Sequence, residues 1–284
     1  MADFTIYEVG PRDGLQNAEF DVTATQKVDL IHHLEGVGFS GIEATAFVHP
    51  KLVPKMADAS EVFAAVGDHA VLVPNQRGLN RAREAGATKF NIFYSPSEAF
   101  NERNLGTDRA TAVSNYRQML RGIPKENIRV YLSCFFGCPF EGEISESVQR
   151  ECVEEASSLG STVVLCDTVG VANPVDISEA VNHRHASCGD LALHLHHRKG
   201  RADHALSLVS AAVEGGITQI DASIGGLGGC PFMPGSGGNL ATEKLVMWAD
   251  VHGLDCGIGV EELDPAVRWV FKKRRQELAC SGQW

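Results

Sequence analysis

Several things are missing from this chain, and each absence removes a class of function. No apolar stretch approaches the ~20 residues of a membrane-spanning helix, so no membrane is expected as a partner. A basic excess is missing too, the formal net charge being -11 at pH 7. Nucleic acid and anionic lipid surfaces both ask for a positive footprint, so neither is an expected partner. The chain has 8 cysteines, at positions 134, 138, 152, 166, 188, 230, 256 and 280, and no two form a C-x-x-C pair, which argues against a structural zinc site. The first strand-like run begins within five residues of Met1, leaving no room for a signal or transit peptide. The expected compartment is therefore the cytoplasm, with the thiols reduced. No low-complexity linker or change of composition divides the chain, so residues 1–284 are expected to form one catalytic domain.

What is present is a soluble composition, 44% hydrophobic and 21% charged, with enough apolar residues for a large core. Strand-like runs at 4–9, 42–47, 71–73, 89–94, 128–134, 162–166, 191–196 and 217–222 alternate with helical patterns. The helical patterns are at 25–37, 77–85, 110–121, 145–159, 175–185, 202–213 and 240–251, with a helical extension from about residue 261. Eight strands alternating with these helices predict a parallel sheet closed into a (β/α)8 TIM barrel. An open doubly wound sheet is the alternative. It needs a glycine fingerprint between a strand and a helix, and Gly225-Gly226-Leu227-Gly228-Gly229 leads into Cys230-Pro231 instead.

In such a barrel the chemistry collects at the C-terminal ends of the strands. The first strand spills into Gly10-Pro11-Arg12-Asp13-Gly14, an arginine beside an aspartate. On local sequence alone, a surface ion pair explains that as well as a substrate site does. The seventh strand is more informative. In Leu191-Ala192-Leu193-His194-Leu195-His196 the two histidines share one face of the strand, with Leu193 and Leu195 on the other. Two imidazoles so placed share a metal, or they are a buried hydrogen-bonded pair. Asp13, an acid at the end of the first strand, favours the metal. His183 and His185 have the same spacing in a helical pattern, where they do not face each other, and are read as surface, as are His32 and His33. Two histidines and a carboxylate with open positions suit a divalent Lewis acid, and oxygen donors favour Mg2+ or Mn2+ over zinc. Strand two adds Glu43 and Thr45, strand five Arg129, Tyr131 and Ser133, and strand six ends at Asp167-Thr168. Cys230 is the one reactive side chain of a long glycine-rich segment after strand eight.

Residues 9–17, Asp167-Thr168-Val169-Gly170, His194-x-His196 and Gly226-Leu227-Gly228-Gly229-Cys230-Pro231 resemble the 3-hydroxy-3-methylglutaryl-CoA lyases, within the metal-dependent TIM-barrel lyases and Claisen-type synthases. The likeness runs from strand one to the helix after strand eight. The synthases lack the loop cysteine. The resemblance implies Asp13, His194, His196 and Asn239 as metal ligands, Arg12 as the cation that stabilises an enolate, and Cys230 as an acid/base. Glu43, Asp167, Arg129, Tyr131 and Asn17 fall on positions the family uses around the substrate. The substrate expected is an acyl-CoA, and a homo-oligomer, a dimer, is expected.

Three departures stand out. The family typically has Asp-Thr-Tyr-Gly-Gln after the His-x-His, where this chain has His197-Arg198-Lys199-Gly200-Arg201. A basic residue two positions past Asn17 is replaced by Glu19, and the tyrosine after Cys138-Pro139 by Phe140. They leave the metal and acid/base set intact and put the acyl group in question. The expected reaction is a metal-dependent retro-Claisen cleavage. In it a base at the metal, His194 or Asp13, takes the hydroxyl proton, Arg12 stabilises the enolate and Cys230 protonates the carbanion. The alternatives are a related lyase, aldolase or synthase on the same scaffold, and a non-catalytic ligand-binding barrel.

Overall fold

The computed structural model describes residues 2–181, 189–198, 203–229 and 237–281. Eight strands form it: β1 (Thr5–Glu8), β2 (Gly41–Ala46), β3 (Ala70–Leu72), β4 (Lys89–Tyr94), β5 (Ile128–Leu132), β6 (Thr162–Asp167), β7 (Asp190–Leu195) and β8 (Gln219–Ala222). Each pairs in parallel with the next, and β8 returns to β1 in the register Thr5↔Gln219 to Glu8↔Ala222, closing the barrel. Parallel strands need crossover connections, and helices supply them. These are α1 (Ala24–Leu34), α2 (Ala59–Val66), α3 (Gln76–Glu84), α4 (Glu98–Leu105), α5 (Arg109–Met119), α6 (Glu146–Leu159), α7 (Pro174–Val181), α8 (His204–Glu214) and α9 (Thr242–Val251). A final helix, α10 (Asp264–Ser281), extends beyond the barrel.

The core lies between strands and helices. Leu191, Leu193 and Leu195 of β7 are all buried there, as are Ile6, Ile92 and Val163 of other strands. The intervening positions point into the barrel. A barrel interior is ordinarily filled by branched apolar side chains. Here a small apolar cluster of Tyr131, Val164, Cys166 and Ala192 shares the space with buried Glu43, Asn91, Arg129, His194 and Asp221. That polarity is the first structural sign of a site.

Strand limits agree with the sequence pattern to within two residues, and those of β4 coincide with it. Two helices, α2 and α4, escaped it. Each has only eight residues, and α4 (EAFNERNL) has little apolar periodicity. Its start is set instead by Ser97, whose hydroxyl accepts from Phe100 N, and its end by Gly106 in the left-handed region at φ +68°. The 175–185 helix is described as far as Val181, and His183 and His185 lie outside the described residues. His32 and His33 are exposed, as read from the sequence. Cys134, Cys138, Cys152, Cys166 and Cys256 are buried and form no disulfide. No described helix is long and apolar enough to cross a membrane.

A candidate metal centre at the barrel mouth

Arg12 and Asp13 do not lie on a loop. Residues 10–14 make a single π-helical turn directly after β1, with Gly14 N–H donating to Val9 O at 3.1 Å. Such turns are rare and concentrate at functional sites. Glu8, fully buried, anchors this one. Its Oε1 accepts from Gly10 N at 2.7 Å and from Ile224 N at 2.9 Å, and its Oε2 from the Thr242 hydroxyl at 2.6 Å. Gly14 has to be glycine, because a Cβ there would lie 2.7 Å from Ser223 Oγ and 2.8 Å from Leu227 Cβ. The turn presents Arg12 and Asp13 together. Arg12 Nη1 donates to Asp13 Oδ1 at 2.9 Å, and Arg12 Nε donates to Glu43 Oε2 in a short contact. Glu43 Oε1 accepts in turn from Asn91 Nδ2 at 2.7 Å.

Two strands away around the barrel, β7 and the residue after it bring His194 and His196 inward, their Nε2 atoms 3.0 Å apart. Asp13 Oδ2 stands 4.0 Å from His194 Nε2 and accepts from Asn239 Nδ2 at 2.7 Å. Asn239 is brought in by a bridge to His196, and Gly228 makes room for it, since a Cβ at 228 would sit 2.4 Å from Asn239 Nδ2. Ligand atoms of Asp13, His194 and His196 all lie within 4.8 Å of one another.

The electrostatics fit a cation. Burial pushes the Asp13 carboxyl up, but Arg12, the two imidazoles and Asn239 outweigh it and hold the group below its ordinary value. His196 is driven down to about 3, first by burial and then by its neighbour His194, so it stays neutral and ready to ligate. Burial lowers His194 as well, but its bond to Asp221 prevails and the net shift is upward. Buried Asn239 Oδ1 has no hydrogen-bond donor among the described residues. Two imidazole nitrogens, a carboxylate and an amide oxygen that lacks a donor form a donor set suited to a divalent cation. Asp13, His194 and His196 line a cavity of 160 Å³ with Arg12, Asn17, Tyr131 and Gly229.

The HMGL-like family model matches residues 3–270. The chain belongs to the HMGL-like family. It is 38% identical over 285 residues to the hydroxymethylglutaryl-CoA lyase of Bacillus subtilis, covering 96% of this chain and 94% of that protein. To the human mitochondrial hydroxymethylglutaryl-CoA lyase it is 38% identical over 269 residues, 91% of this chain and 82% of the relative. An HMG-CoA lyase from Acinetobacter baumannii, solved in complex with coenzyme A and 3-methylmalate, superposes with a TM-score of 0.87 at 38% identity, over 94% of this chain and 90% of that one.

Within this HMGL-like barrel the sequence-derived residues that are described fall into three groups. Arg12, Asp13, Asn17, Tyr131, His194 and His196 line the cavity, and Asn239 meets Asp13 beside it. Glu43 and Arg129 stand behind the cavity wall. Glu43 is fully buried against Arg12, while Arg129 lines a separate 610 Å³ cavity at the other end of the barrel. Asp167 faces neither. It pairs in register with outward-facing Leu195, and its carboxylate accepts from Val171 N at 2.9 Å and Ala172 N at 3.2 Å, closing the turn after β6. Burial raises it to about 6. Its flanking residues Cys166 and Thr168 line the cavity in its place. Cys230 lies outside the described residues, directly after Gly229 in sequence. Of the departures, Glu19 and Arg198 are exposed, and Phe140 lies under the Arg103 guanidinium, 4.2 Å from its ring centre. Lys199 to Arg201 lie outside the described residues.

Sequence reasoning missed Asp221, Asn91 and Tyr7. Each is a polar residue inside an apolar strand run (Ile220-Asp221-Ala222 is the plainest). That was the available signal, since a buried polar group in a strand needs a partner.

Proposed function

We propose that this chain is a divalent-metal-dependent carbon–carbon lyase that cleaves a 3-hydroxy-3-methylglutaryl-CoA-like thioester to acetyl-CoA and a 3-oxo acid such as acetoacetate. One observation carries the reading. Arg12, Asp13, His194 and His196 line one cavity with Asn239 bonded to Asp13 beside it, in a family whose relatives bear that activity in their names. The coenzyme A in the Acinetobacter relative supports an acyl-CoA substrate.

Asp13, His194, His196 and Asn239 would hold the cation, Mg2+ or Mn2+, and its Lewis acidity lowers the pKa of a substrate hydroxyl. The rest falls to the chain. With both His194 nitrogens committed, Nε2 to the cation and Nδ1 to Asp221, the Asp13 carboxylate is the base at that point and takes the hydroxyl proton. As the C–C bond breaks, charge gathers on the thioester oxygen of the leaving acetyl unit. Arg12 is preorganised for it. Glu43 holds its Nε and Asp13 its Nη1, and Nη2 has no hydrogen bond to a described residue. Glu43 therefore acts through Arg12. Tyr131 and Asn17 orient the substrate. Cys230, next in sequence to cavity-lining Gly229, delivers the proton to the enolate carbon.

The test is product analysis with 3-hydroxy-3-methylglutaryl-CoA and a panel of other hydroxyacyl-CoA thioesters, in chelator and with Mg2+ or Mn2+ restored. Metal-restored release of acetyl-CoA and acetoacetate supports the assignment. Because the departures at Glu19 and Arg198 alter the rim, the panel includes longer and more anionic acyl groups. Turnover of one of those, with none of the 3-hydroxy-3-methylglutaryl thioester, would transfer the chain to a related lyase, aldolase or synthase.

A further inference from the structure

Beneath the cavity, Asp221 of β8 lies opposite His194 of β7 in register. Its side chain is fully buried, and its two oxygens have different partners. Oδ1 accepts from Arg129 Nη2 in a short contact, and Oδ2 stands 3.1 Å from His194 Nδ1. Arg129 is itself fixed, with Nη1 donating to Gln219 Oε1 and its guanidinium carbon 4.2 Å from the Tyr7 ring centre. His196 differs, because its Nδ1 is buried with no partner among the described residues.

We propose that Asp221, oriented by Arg129, is a positioning residue for the metal centre: it keeps the His194 proton on Nδ1, so that the Nε2 lone pair faces the cation. A carboxylate only accepts, so the ring nitrogen facing it must carry hydrogen. A ligating histidine gains both orientation and basicity from such a partner. The site then has one imidazole set in advance and one, His196, free to adjust. Arg129 serves the reaction through Asp221 and His194 and does not touch the substrate. This inference rests on the metal reading above, but its central claim concerns a tautomer that exists without metal.

The geometry makes a specific demand on Asp221→Asn. Arg129 is an obligate donor, so the amide oxygen must face it. The amide NH2 then faces His194 Nδ1, which has to accept, and the proton moves to Nε2. Second removal of Arg129, in Asp221→Asn/Arg129→Met, lets the amide turn and offer its oxygen to Nδ1 again. No buried charge is left unpaired in the double variant.

Two measurements test this. Nitrogen NMR of metal-free, 15N-histidine-labelled protein in alkaline buffer, with His194 assigned through His194→Gln, should show Nδ1 protonated in the wild type and Nε2 protonated in Asp221→Asn. A wild type protonated on Nε2 overturns the proposal, whether or not any variant folds. Mn2+ titration followed by electron paramagnetic resonance should show affinity falling roughly 10- to 100-fold in Asp221→Asn and recovering in part in the double variant. Equal affinity of wild type and Asp221→Asn, or no recovery in a folded double variant, also overturns it. Absence of Mn2+ binding by the wild type would defeat the metal reading instead, and the tautomer would still decide the role of Asp221.

Discussion

Replacing Glu8 with alanine should damage this protein more than replacing any of the cavity residues. The carboxylate is fully buried and serves two backbone amides, Gly10 and Ile224, and the Thr242 hydroxyl. Alanine strands both amides where water does not reach. Each unsatisfied buried donor costs about 1–3 kcal/mol, so the two together cost about 2–6 kcal/mol. That is a large part of the about 5–15 kcal/mol that holds a typical domain folded. The hydroxyl can turn elsewhere and adds little. Glutamine should behave differently. Its amide oxygen takes the place of Oε1 and receives both backbone N–H groups, while its NH2 donates to the Thr242 hydroxyl. Burial already raises the Glu8 carboxyl to about 8, so glutamine stands in for a largely neutral group and keeps every partner, at a cost of about 1–2 kcal/mol. Urea denaturation of the metal-free protein measures both. Because Glu8 ties the π-turn bearing Arg12 and Asp13 to the segment after β8, Mn2+ affinity should fall in Glu8→Ala and hold in Glu8→Gln. An alanine variant within 1 kcal/mol of wild type, or a glutamine variant as unstable as alanine, would show that these three contacts do not carry the anchoring assigned to them.

The cavity residues give further tests. Arg12→Gln should cut kcat roughly a hundred- to thousand-fold with Mn2+ affinity nearly unchanged, since the guanidinium serves charge present only in the transition state; a change confined to KM would make it a substrate anchor. His194→Ala and Asp13→Ala should each lose metal and most activity together, and full turnover in excess chelator with no bound metal would rule the metal mechanism out. In the metal-free protein His196 sits near 3 when folded and at 6.5 when free, so the unfolded chain binds the extra proton. Its stabilising contribution is therefore present above pH 6.5 and lost as the pH falls toward 3, and His196→Gln should flatten that limb of the urea-midpoint profile. His194, raised by Asp221 against its burial, works in the opposite sense, its contribution being present below pH 6.5 and lost as the pH climbs through its elevated value. Limited alkylation should inactivate through Cys230, with metal and substrate analogue protecting, because burial holds Cys166 in the cavity wall as an unreactive thiol; normal turnover by Cys230→Ser would remove the loop cysteine from the reaction.

The sequence carried the strand–helix alternation and the facing of His194 and His196, because both depend on periodicities that are local to the chain. Height along the barrel and register between strands are not local, and there the reading ran out. Arg129, Tyr131 and Ser133 do share one face of β5, but a strand rises about 3.3 Å per residue, so Arg129 lies roughly 7 Å below Tyr131 and opens to the opposite end. Asp167 sits at a strand end like the others, yet its register with Leu195 turns it toward the helices. Asp221 stands out in the sequence as a polar residue within an apolar strand, but its partner His194 becomes visible only once β7 and β8 are paired. The π-turn at residues 10–14 has no periodic signature, and its glycines and proline read equally well as a loop.

The inward polar residues then form one circuit. Arg12 joins Glu43, Glu43 joins Asn91, and Asn91 Nδ2 reaches the Tyr7 hydroxyl at 3.1 Å. Arg129 lies over the Tyr7 ring and bonds Asp221, Asp221 meets His194, and His194 stands beside Asp13, which returns to Arg12. Buried charges are costly unless matched, so the balance of this ring bears on what it accepts. Arg12 and Arg129 offset two of the three carboxylates Glu43, Asp13 and Asp221, leaving one negative charge when His194 is neutral. A divalent cation would turn that to one positive charge. The site is then short of a single anion, which the free carboxylate of a glutaryl-type acyl group supplies and a neutral acyl chain does not. On the reading proposed above, that charge balance would suit an acyl-CoA with one carboxylate at its far end, even though the chain as a whole is strongly negative.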